Sequence, residues 1–508
     1  MRKDIVRYSL SILCLGGVLA CSNPGSDEEA RFNKRIVELE STYWSHSATS
    51  QILLNRLQSQ QSQVLWSTNF HTAAPVPVGA VGPSKYLNKL NGIVHNDSIG
   101  RVVKEAVADG VNVIYVIGDG MGNMHMALPI YMRRATGNQE PTMFERIMRE
   151  GACGFNYTCT SEGIVTGSAA SGTALACGEK TRMNMVGMNR DGEPMESAMA
   201  LAKKNHFKTA VVSDAGITDA TPAAFYAHSL NRDLESDIAR QLFEGKVADV
   251  VLGGGGSQFI PAGQEVSQLF DTDGVTYTSA RNDSLNLFAA FAADQYNLCF
   301  TKEQMQNAPK DGKLIGLFGG GGLPPVIDRG PNNAKVPMVE DMAQQALEMI
   351  SMDDHSYMVM IECARIDWEA HDNDLGAVYQ AVEDMNRVLE TAYAFYARNP
   401  EKTLLVFTAD HETGGLEIAY KKMPKEQEDR VELPAGGTWT NITNPLSFKD
   451  YQTELTRQTK SLSGILTESK TVESLQENLQ KYMGVSISAE DAAMVLESRN
   501  SYKRYKDE

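Results

Sequence analysis

The chain has little aromatic character, little cysteine and a deficit of positive charge. Aromatics are 7% of its 508 residues, too few for a repeat array of propeller blades or for carbohydrate platforms. Lys and Arg number 47 against 64 Asp and Glu, a formal charge of −17. That excludes a protein that tracks a nucleic-acid backbone, because neutralising phosphates needs cations in excess. A small anionic substrate stays admissible where a bound metal supplies the attraction. None of the seven cysteines forms a C-x-x-C pair, so neither a redox motif nor a thiolate metal knuckle is present. The longest apolar run near the start, Tyr8 to Ala20, is too short to span a membrane as a helix. What is abundant is ordinary globular material, 42% hydrophobic and 22% charged, enough for a large core or for two to three domains.

Residues 1–20 read as a lipoprotein signal peptide: Arg2, Lys3 and Arg7 make a basic start ahead of the apolar run. V-L-A-C at 18–21 resembles a bacterial lipobox, which implies cleavage before Cys21, lipidation of that thiol and a mature protein anchored in the cell envelope, at the outer membrane or the periplasmic face. Residues 21–30 then read as a solvated tether. Leaving aside Cys14 and Cys21, the odd number of remaining cysteines, Cys153, Cys159, Cys177, Cys299 and Cys363, requires at least one free thiol. Residues 31–110 are read as a helical extension, interrupted at 71–84 by the Pro/Gly-rich linker H-T-A-A-P-V-P-V-G-A-V-G-P-S.

From Val111 the pattern changes. Short apolar runs alternate with helical stretches: V-N-V-I-Y-V-I at 111–117, K-T-A-V-V-S at 208–213, V-V-L at 250–252, L-I-G-L-F at 314–318, Y-M-V-M-I at 357–361 and T-L-L-V-F at 403–407. Continuous apolar strands separated by helices predict an α/β fold, a three-layer α/β/α sandwich around a large, mostly parallel sheet, over 111–420. Residues 421–508 are richer in charge and in helix formers and read as a helical cap or insertion.

Ligands in such sheets sit beyond the carboxyl ends of the strands, and three of these runs end in potential metal ligands. Asp119 follows the first run within I-G-D-G-M-G, and Asp410 and His411 follow the last. Glu362 ends a third, with Asp367 and His371 one helical turn apart just after it. Carboxylates and imidazoles at three strand ends suit mixed oxygen and nitrogen coordination of zinc, with an oxygen site for magnesium. A reacting group is available in Ser168, at the start of the slender stretch S-A-A-S-G-T-A, where a helix N-terminus would face an anion. No G-x-S-x-G elbow supplies a histidine base, so metal coordination would have to activate the hydroxyl.

I-G-D-G-M-G, T-G-S-A-A-S-G-T-A, D-A-T-P-A-A at 219–224, E-C-A-R-I-D-W-E-A-H and T-A-D-H-E-T-G-G follow one another along the chain, and together they resemble the alkaline phosphatase family from about Val111 to Gly415. The resemblance implies a phosphomonoester hydrolase that forms a phosphoseryl intermediate on Ser168 and releases inorganic phosphate. It implies one zinc on Asp119, Asp410 and His411, and a second on Asp367 and His371. It also implies a magnesium on Asp119, Thr221 and Glu362 with Asp219 beside it, Arg232 over the phosphate oxygens, and a homodimer. Gly167 stands where some members carry an Asp beside the nucleophile, which would leave Arg232 less restrained, and Trp368 stands at a Lys or His position of some relatives.

Family members take a third ligand to the leaving-group zinc from a late His in an H-T-G-like segment, followed by closing strands. The nine His here are 46, 71, 95, 125, 206, 228, 355, 371 and 411, so none follows His411. The expectation is therefore a chain that stops before its closing strands. It would be a truncated product, a variant recruiting another ligand such as His125, or a protein that keeps only part of the cluster. The rival functions are then a catalytically impaired phosphate- and metal-binding lipoprotein, and a phosphodiesterase of the same superfamily. The sulfatase pattern C-x-P-S-R is absent.

Overall fold

The computed structural model describes residues 63–330, 333–422, 429–434, 436–441, 443–444 and 446–497. The signal, the tether with Cys21, and residues 31–62 lie outside the described residues.

The strands in chain order are β1 (Val64–Trp66), β2 (His71–Thr72), β3 (Val76–Val81), β4 (Gly92–His95), β5 (Asn112–Gly118), β6 (Ala152–Tyr157) and β7 (Lys208–Gly216). There follow β8 (Val250–Gly254), β9 (Tyr296–Cys299), β10 (Lys313–Leu317), β11 (Tyr357–Cys363), β12 (Thr403–Thr408), β13 (Glu412–Thr413) and β14 (Leu416–Ile418). Ten of them form one sheet in the order β4-β6-β3-β12-β5-β11-β7-β8-β10-β9. All neighbours are parallel except β3, which runs antiparallel to both β12 and β6. The sheet is central because its strands are apolar on both faces. In β5, Ile114 and Val116 join one hydrophobic core while Val113, Tyr115 and Ile117 join the other, the alternation that a pleated strand imposes. Helices such as Asn96–Ala108 on one side and Leu375–Tyr396 on the other supply the facing apolar stripes. The three-layer α/β/α sandwich read from the sequence is the fold observed.

Residues 71–84 are not a linker. His71–Thr72 pairs with Glu412–Thr413 as β2 and β13, and Val76–Val81 is a fully buried strand inside the large sheet. Its composition is misleading because Gly79 serves packing. A Cβ there would lie 2.4 Å from the Phe407 ring and 2.9 Å from Met148, so only glycine lets β3 close against β12. The sheet therefore continues past β12 through β3, β6 and β4. Two of these strands, β3 and β4, lie before the core in the chain. Residues 84–90 and 96–108 are helical, with β4 between them.

The last segment opens with a two-stranded ribbon, Asp429–Glu432 against Thr438–Asn441, before the helices Phe448–Arg457, Leu462–Glu468 and Val472–Met483. A further helix covers 489–497, entered through Ser488, whose hydroxyl accepts from the Asp491 N–H. Leu462, Ile465, Leu475, Leu479, Val495 and Leu496 give this end its own small core. It is joined to the main body at Asp374, whose carboxylate accepts from the Leu462 N–H and the Gln458 side chain. Among the described residues no helix is long and apolar enough to cross a membrane, and Cys153, Cys159, Cys177, Cys299 and Cys363 are all free thiols.

Candidate metal and phosphate site

The predicted ligands converge at the carboxyl ends of β5, β7, β11 and β12. Asp119 leaves β5 at a tight turn. Gly120 follows with φ +70°, and a Cβ on it would fall 2.7 Å from the Asp367 backbone, so a glycine is required for the two strand ends to meet. Glu362 is the penultimate residue of β11, and Asp367 and His371 lie on the one helix that follows it, Arg365–His371. Asp410 and His411 sit between β12 and β13.

Two donor sets result. Asp119, Asp410 and His411 are all buried, with ligand atoms within 4.8 Å of one another. His411 Nε2 is 3.5 Å from Asp119 Oδ1, 3.2 Å from Asp410 Oδ2 and 3.4 Å from Ser168 Oγ. The second set is Asp367, His371 and His71. His371 Nε2 is 3.3 Å from Asp367 Oδ2, and His71 Nε2 is 3.0 Å from His371 Nε2 and 3.7 Å from Asp367 Oδ1. The sets adjoin, with the His71 and His411 rings stacked 3.7 Å apart.

His71 is the member of these donor sets that the sequence motifs do not include. It is held by β2, whose neighbour Thr72 donates its hydroxyl to the Glu412 carboxylate. The signal available in the sequence is H-T-A followed by V-P-V-G-A-V, a His-bearing segment and a strand placed ahead of the core. His125, named above as a substitute ligand, belongs to neither donor set. Its Nδ1 accepts the Gly122 N–H at the start of the helix Asn123–Ala135.

Hydrogen bonding sets which imidazole nitrogens face the centre. The Asn69 carbonyl receives His371 Nδ1 at 2.7 Å and the Thr166 carbonyl receives His71 Nδ1 at 2.9 Å. A carbonyl only accepts, so both Nδ1 atoms carry hydrogen and two Nε2 lone pairs meet at 3.0 Å. Such a pair is stable only around a cation. Burial pulls the His371 pKa down, but the Asp367 hydrogen bond and charge prevail and lift it to about 9. Burial also works to raise Asp367, and the three surrounding imidazoles hold it below the usual carboxylate range instead. A metal held here would displace the His371 proton.

The first set shows the same need. Burial, with the repulsion of Asp367, pushes Asp410 up to about 7, and burial together with Asp410, Asp367 and Glu362 pushes Asp119 far up. Asp119 Oδ1, Asp410 Oδ2 and Thr221 Oγ1 are buried with no hydrogen-bond partner. Buried carboxylates crowded together with orphaned oxygens fit cations and little else. Thr221 lies in the short helix Ala220–Ala223, which Asp219 caps, and Glu362 accepts from the Ser213 hydroxyl. Ser168 opens the helix Ser168–Cys177, whose positive end faces the cluster. Arg232 reaches in from the loop after Ser229 and pairs with Asp219.

A mostly parallel sheet carrying one buried and one partly buried donor triad, side by side at its strand ends, fits a metal-dependent hydrolase centre. The family model described as Alkaline phosphatase matches residues 111–476. Alkaline phosphatase 3 of Bacillus subtilis is 31% identical over 350 residues, covering 68% of this chain and 70% of that protein. The repressible alkaline phosphatase of Saccharomyces cerevisiae is 30% identical over 321 residues, covering 60% and 55%. The crystal structure of Thermus thermophilus alkaline phosphatase superposes with a TM-score of 0.61 at 27% identity, over 77% of this chain and 76% of that one. The chain belongs to the alkaline phosphatase family, and its enzymatic class is that of the phosphoric monoester hydrolases. The family match extends into the segment after 420 and starts downstream of His71.

Proposed function

We propose that this protein hydrolyses phosphomonoesters through a phosphoseryl intermediate on Ser168. The observation that carries the reading is the Ser168 hydroxyl 3.4 Å from His411 Nε2, between a helix N-terminus and two adjoining donor sets. Asp119, Asp410 and His411 would hold one zinc, His71, Asp367 and His371 the other, and Asp119, Thr221 and Glu362 a magnesium. When bound, these ions supply Lewis-acid charge that acidifies the seryl hydroxyl and neutralises the apical oxygens of an in-line displacement. Ser168 Oγ forms its bond to phosphorus as the alcohol departs with the ester oxygen. Arg232 and the helix N-terminus hold the nonbridging oxygens throughout. Water then attacks phosphorus from the opposite side, releasing phosphate and restoring Ser168.

Residues 63–83 are read here as the family's His-bearing closing segment carried in front of the core, a circular permutation. Spatial position supports this: H-T-A completes the donor set and the strand after it lies against β12. The impaired-binder reading rested on a missing third ligand, and His71 removes its motive. The V-L-A-C signal supports export and anchoring through a lipid on Cys21, to be checked by labelling with radioactive fatty acid in wild type and Cys21→Ser.

The test of function is turnover of a chromogenic phosphomonoester, and of a diester in parallel, by zinc- and magnesium-loaded protein. Ser168→Ala should abolish monoester turnover while zinc content stays at the wild-type value. Retained turnover, or faster diester than monoester cleavage, would refute the reading.

A further inference from the structure

The approach to Ser168 is apolar, although the cluster behind it is not. Val165 and Ile164 lie three and four residues before the serine, Met183 is on a second loop and Phe70 directly precedes His71. All four are exposed, Val165 to 45% and Met183 to 50%. Single exposed apolar residues need no account, but a group of them among polar neighbours marks a ligand or partner site.

Three contacts fix where this group stands. A Cβ on Gly167, the residue before Ser168, would lie 3.4 Å from the Met183 methyl and 3.7 Å from the His71 ring, so the glycine leaves room between the two. The carbonyl of Thr166, next to Val165, receives His71 Nδ1 at 2.9 Å. Beyond Met183, the Asn184 carbonyl accepts the Arg232 backbone N–H at 2.9 Å. Met183 therefore stands at the meeting point of the nucleophile, a donor histidine and the arginine.

The loops that carry the rim are tied together. The Ser161 N–H donates to the Thr181 carbonyl at 2.9 Å, and Arg182 Nε is 2.8 Å from Glu162 Oε1. That pair uses the one acid and the one base within 161–167 and 181–184. These two stretches thus turn no unpaired charge towards a ligand, and little has to be ordered when one settles on them.

The direction of departure points to the same place. Ser168 Oγ lies 3.4 Å from His411 in the first donor set. An in-line displacement expels the leaving oxygen on the far side of phosphorus, towards the set that contains His71, and the carbon skeleton of the alcohol then leaves past Phe70, Val165 and Met183.

Resting on the phosphomonoesterase reading above, we propose that Phe70, Ile164, Val165 and Met183 form a leaving-group subsite that selects phosphomonoesters of apolar alcohols over those of sugars. A hydroxylated skeleton would give up its water there to side chains that return no hydrogen bond. A second copy of the chain is the competing occupant.

Ethyl, butyl, hexyl and octyl phosphates share one leaving-group chemistry and differ only in chain length. On the metal-loaded full chain kcat/KM should rise about twofold per methylene, half of the roughly fourfold that complete burial gives, because the rim is about half exposed. Hexyl phosphate should exceed glucose 6-phosphate, a primary ester of equal carbon number, by about tenfold or more. In Met183→Gln/Val165→Thr the octyl-to-ethyl ratio should fall from about sixtyfold to less than about tenfold. Ile93→Thr removes an exposed apolar side chain on β4 and should keep the wild-type ratio. Ethyl- and octylphosphonate, which have no ester bond to cleave, should show the same dependence in their dissociation constants by calorimetry. A flat wild-type series, an undiminished ratio in the double variant or a lost one in Ile93→Thr would overturn the subsite. So would a shift from dimer to monomer in the double variant with its chain-length dependence intact, which would assign the rim to a second copy. Turnover of none of the esters would refute the proposed function instead. The phosphonates then decide the subsite alone, and binding that is absent or indifferent to chain length would refute it.

Discussion

Replacing His71 by alanine tests the centre most directly. The change reduces the donor set of His71, Asp367 and His371 from three side chains to two. Loss of a group that merely orients a ligand costs about 10–100-fold in metal affinity, so loss of the ligand itself should cost at least about 100-fold, near 2.7 kcal/mol. A metal on this side contributes several kcal/mol of charge stabilisation, so kcat/KM should fall by about a thousandfold or more. The fold should survive, since His71 adds one hydrogen bond to the Thr166 carbonyl and a net bond of this kind is worth about 1 kcal/mol. The assay is zinc content by mass spectrometry after dialysis against a zinc buffer, with thermal unfolding and phosphomonoester turnover on the same sample. One zinc per chain in place of two, with activity partly recovered at high zinc, is expected. His125→Gln is the control and should keep both ions. Full zinc content and activity in His71→Ala, or loss of one zinc in His125→Gln, would refute the assignment of His71.

Two further predictions follow from burial. In metal-free protein Asp410 is raised from 3.8 to about 7 and His371 from 6.5 to about 9. Both bind protons more tightly folded than unfolded, so their contribution to stability is whole below their ordinary values and is lost as pH rises through 7 and then 9. Below pH 6.5 the depressed imidazoles of His71, His125 and His411 act in the opposite sense, so Tm with chelator should fall between about pH 6.5 and 9, and the metal-loaded protein should lack this fall, because a metal binds the deprotonated donors; parallel curves would contradict the cation-dependent centre. Gly79→Ala should lower stability by about 1–3 kcal/mol through overpacking against Phe407, read as a lower urea midpoint with an unchanged slope. An unchanged midpoint would mean that β3 is not held tightly against β12.

Much of the centre was legible because the chemistry sits where buried runs stop. Asp119 after V-I-Y-V-I, Glu362 at the end of Y-M-V-M-I and Asp410-His411 after L-V-F each announced themselves by a polar residue closing a strand with two buried faces. The layers were legible for the same reason, because runs such as V-I-Y-V-I can be buried only between two covers. His71 and β3 were not legible in this way. Pro75, Pro77 and Gly79 imitate a linker, and nothing local says that V-P-V-G-A-V will lie antiparallel between β12 and β6. The pairing with β12 joins residues more than 300 positions apart, and local pattern carries no information about it. Because His71 precedes the core, no His follows His411 in chain order, and chain order alone leaves that donor set one imidazole short. The restraint on Arg232 was hidden likewise, because its carboxylate comes from a helix cap and not from the neighbour of Ser168.

The placement of His71 ahead of the core sets a timetable for biosynthesis. The Thr72–Glu412 bond that seats β2 spans 340 residues, so at about 5–20 residues per second the strand waits about 20 to 70 seconds for its partner to be made. Until then the polypeptide has no complete donor set on that side, and the seryl centre stays unfinished. Wherever the chain folds, the donor set of His71, Asp367 and His371 cannot be seated before β13 is available to β2. Early-made sequence is here the last part to be committed, and this predicts that the His71 segment docks late in refolding as well, after the sheet it completes.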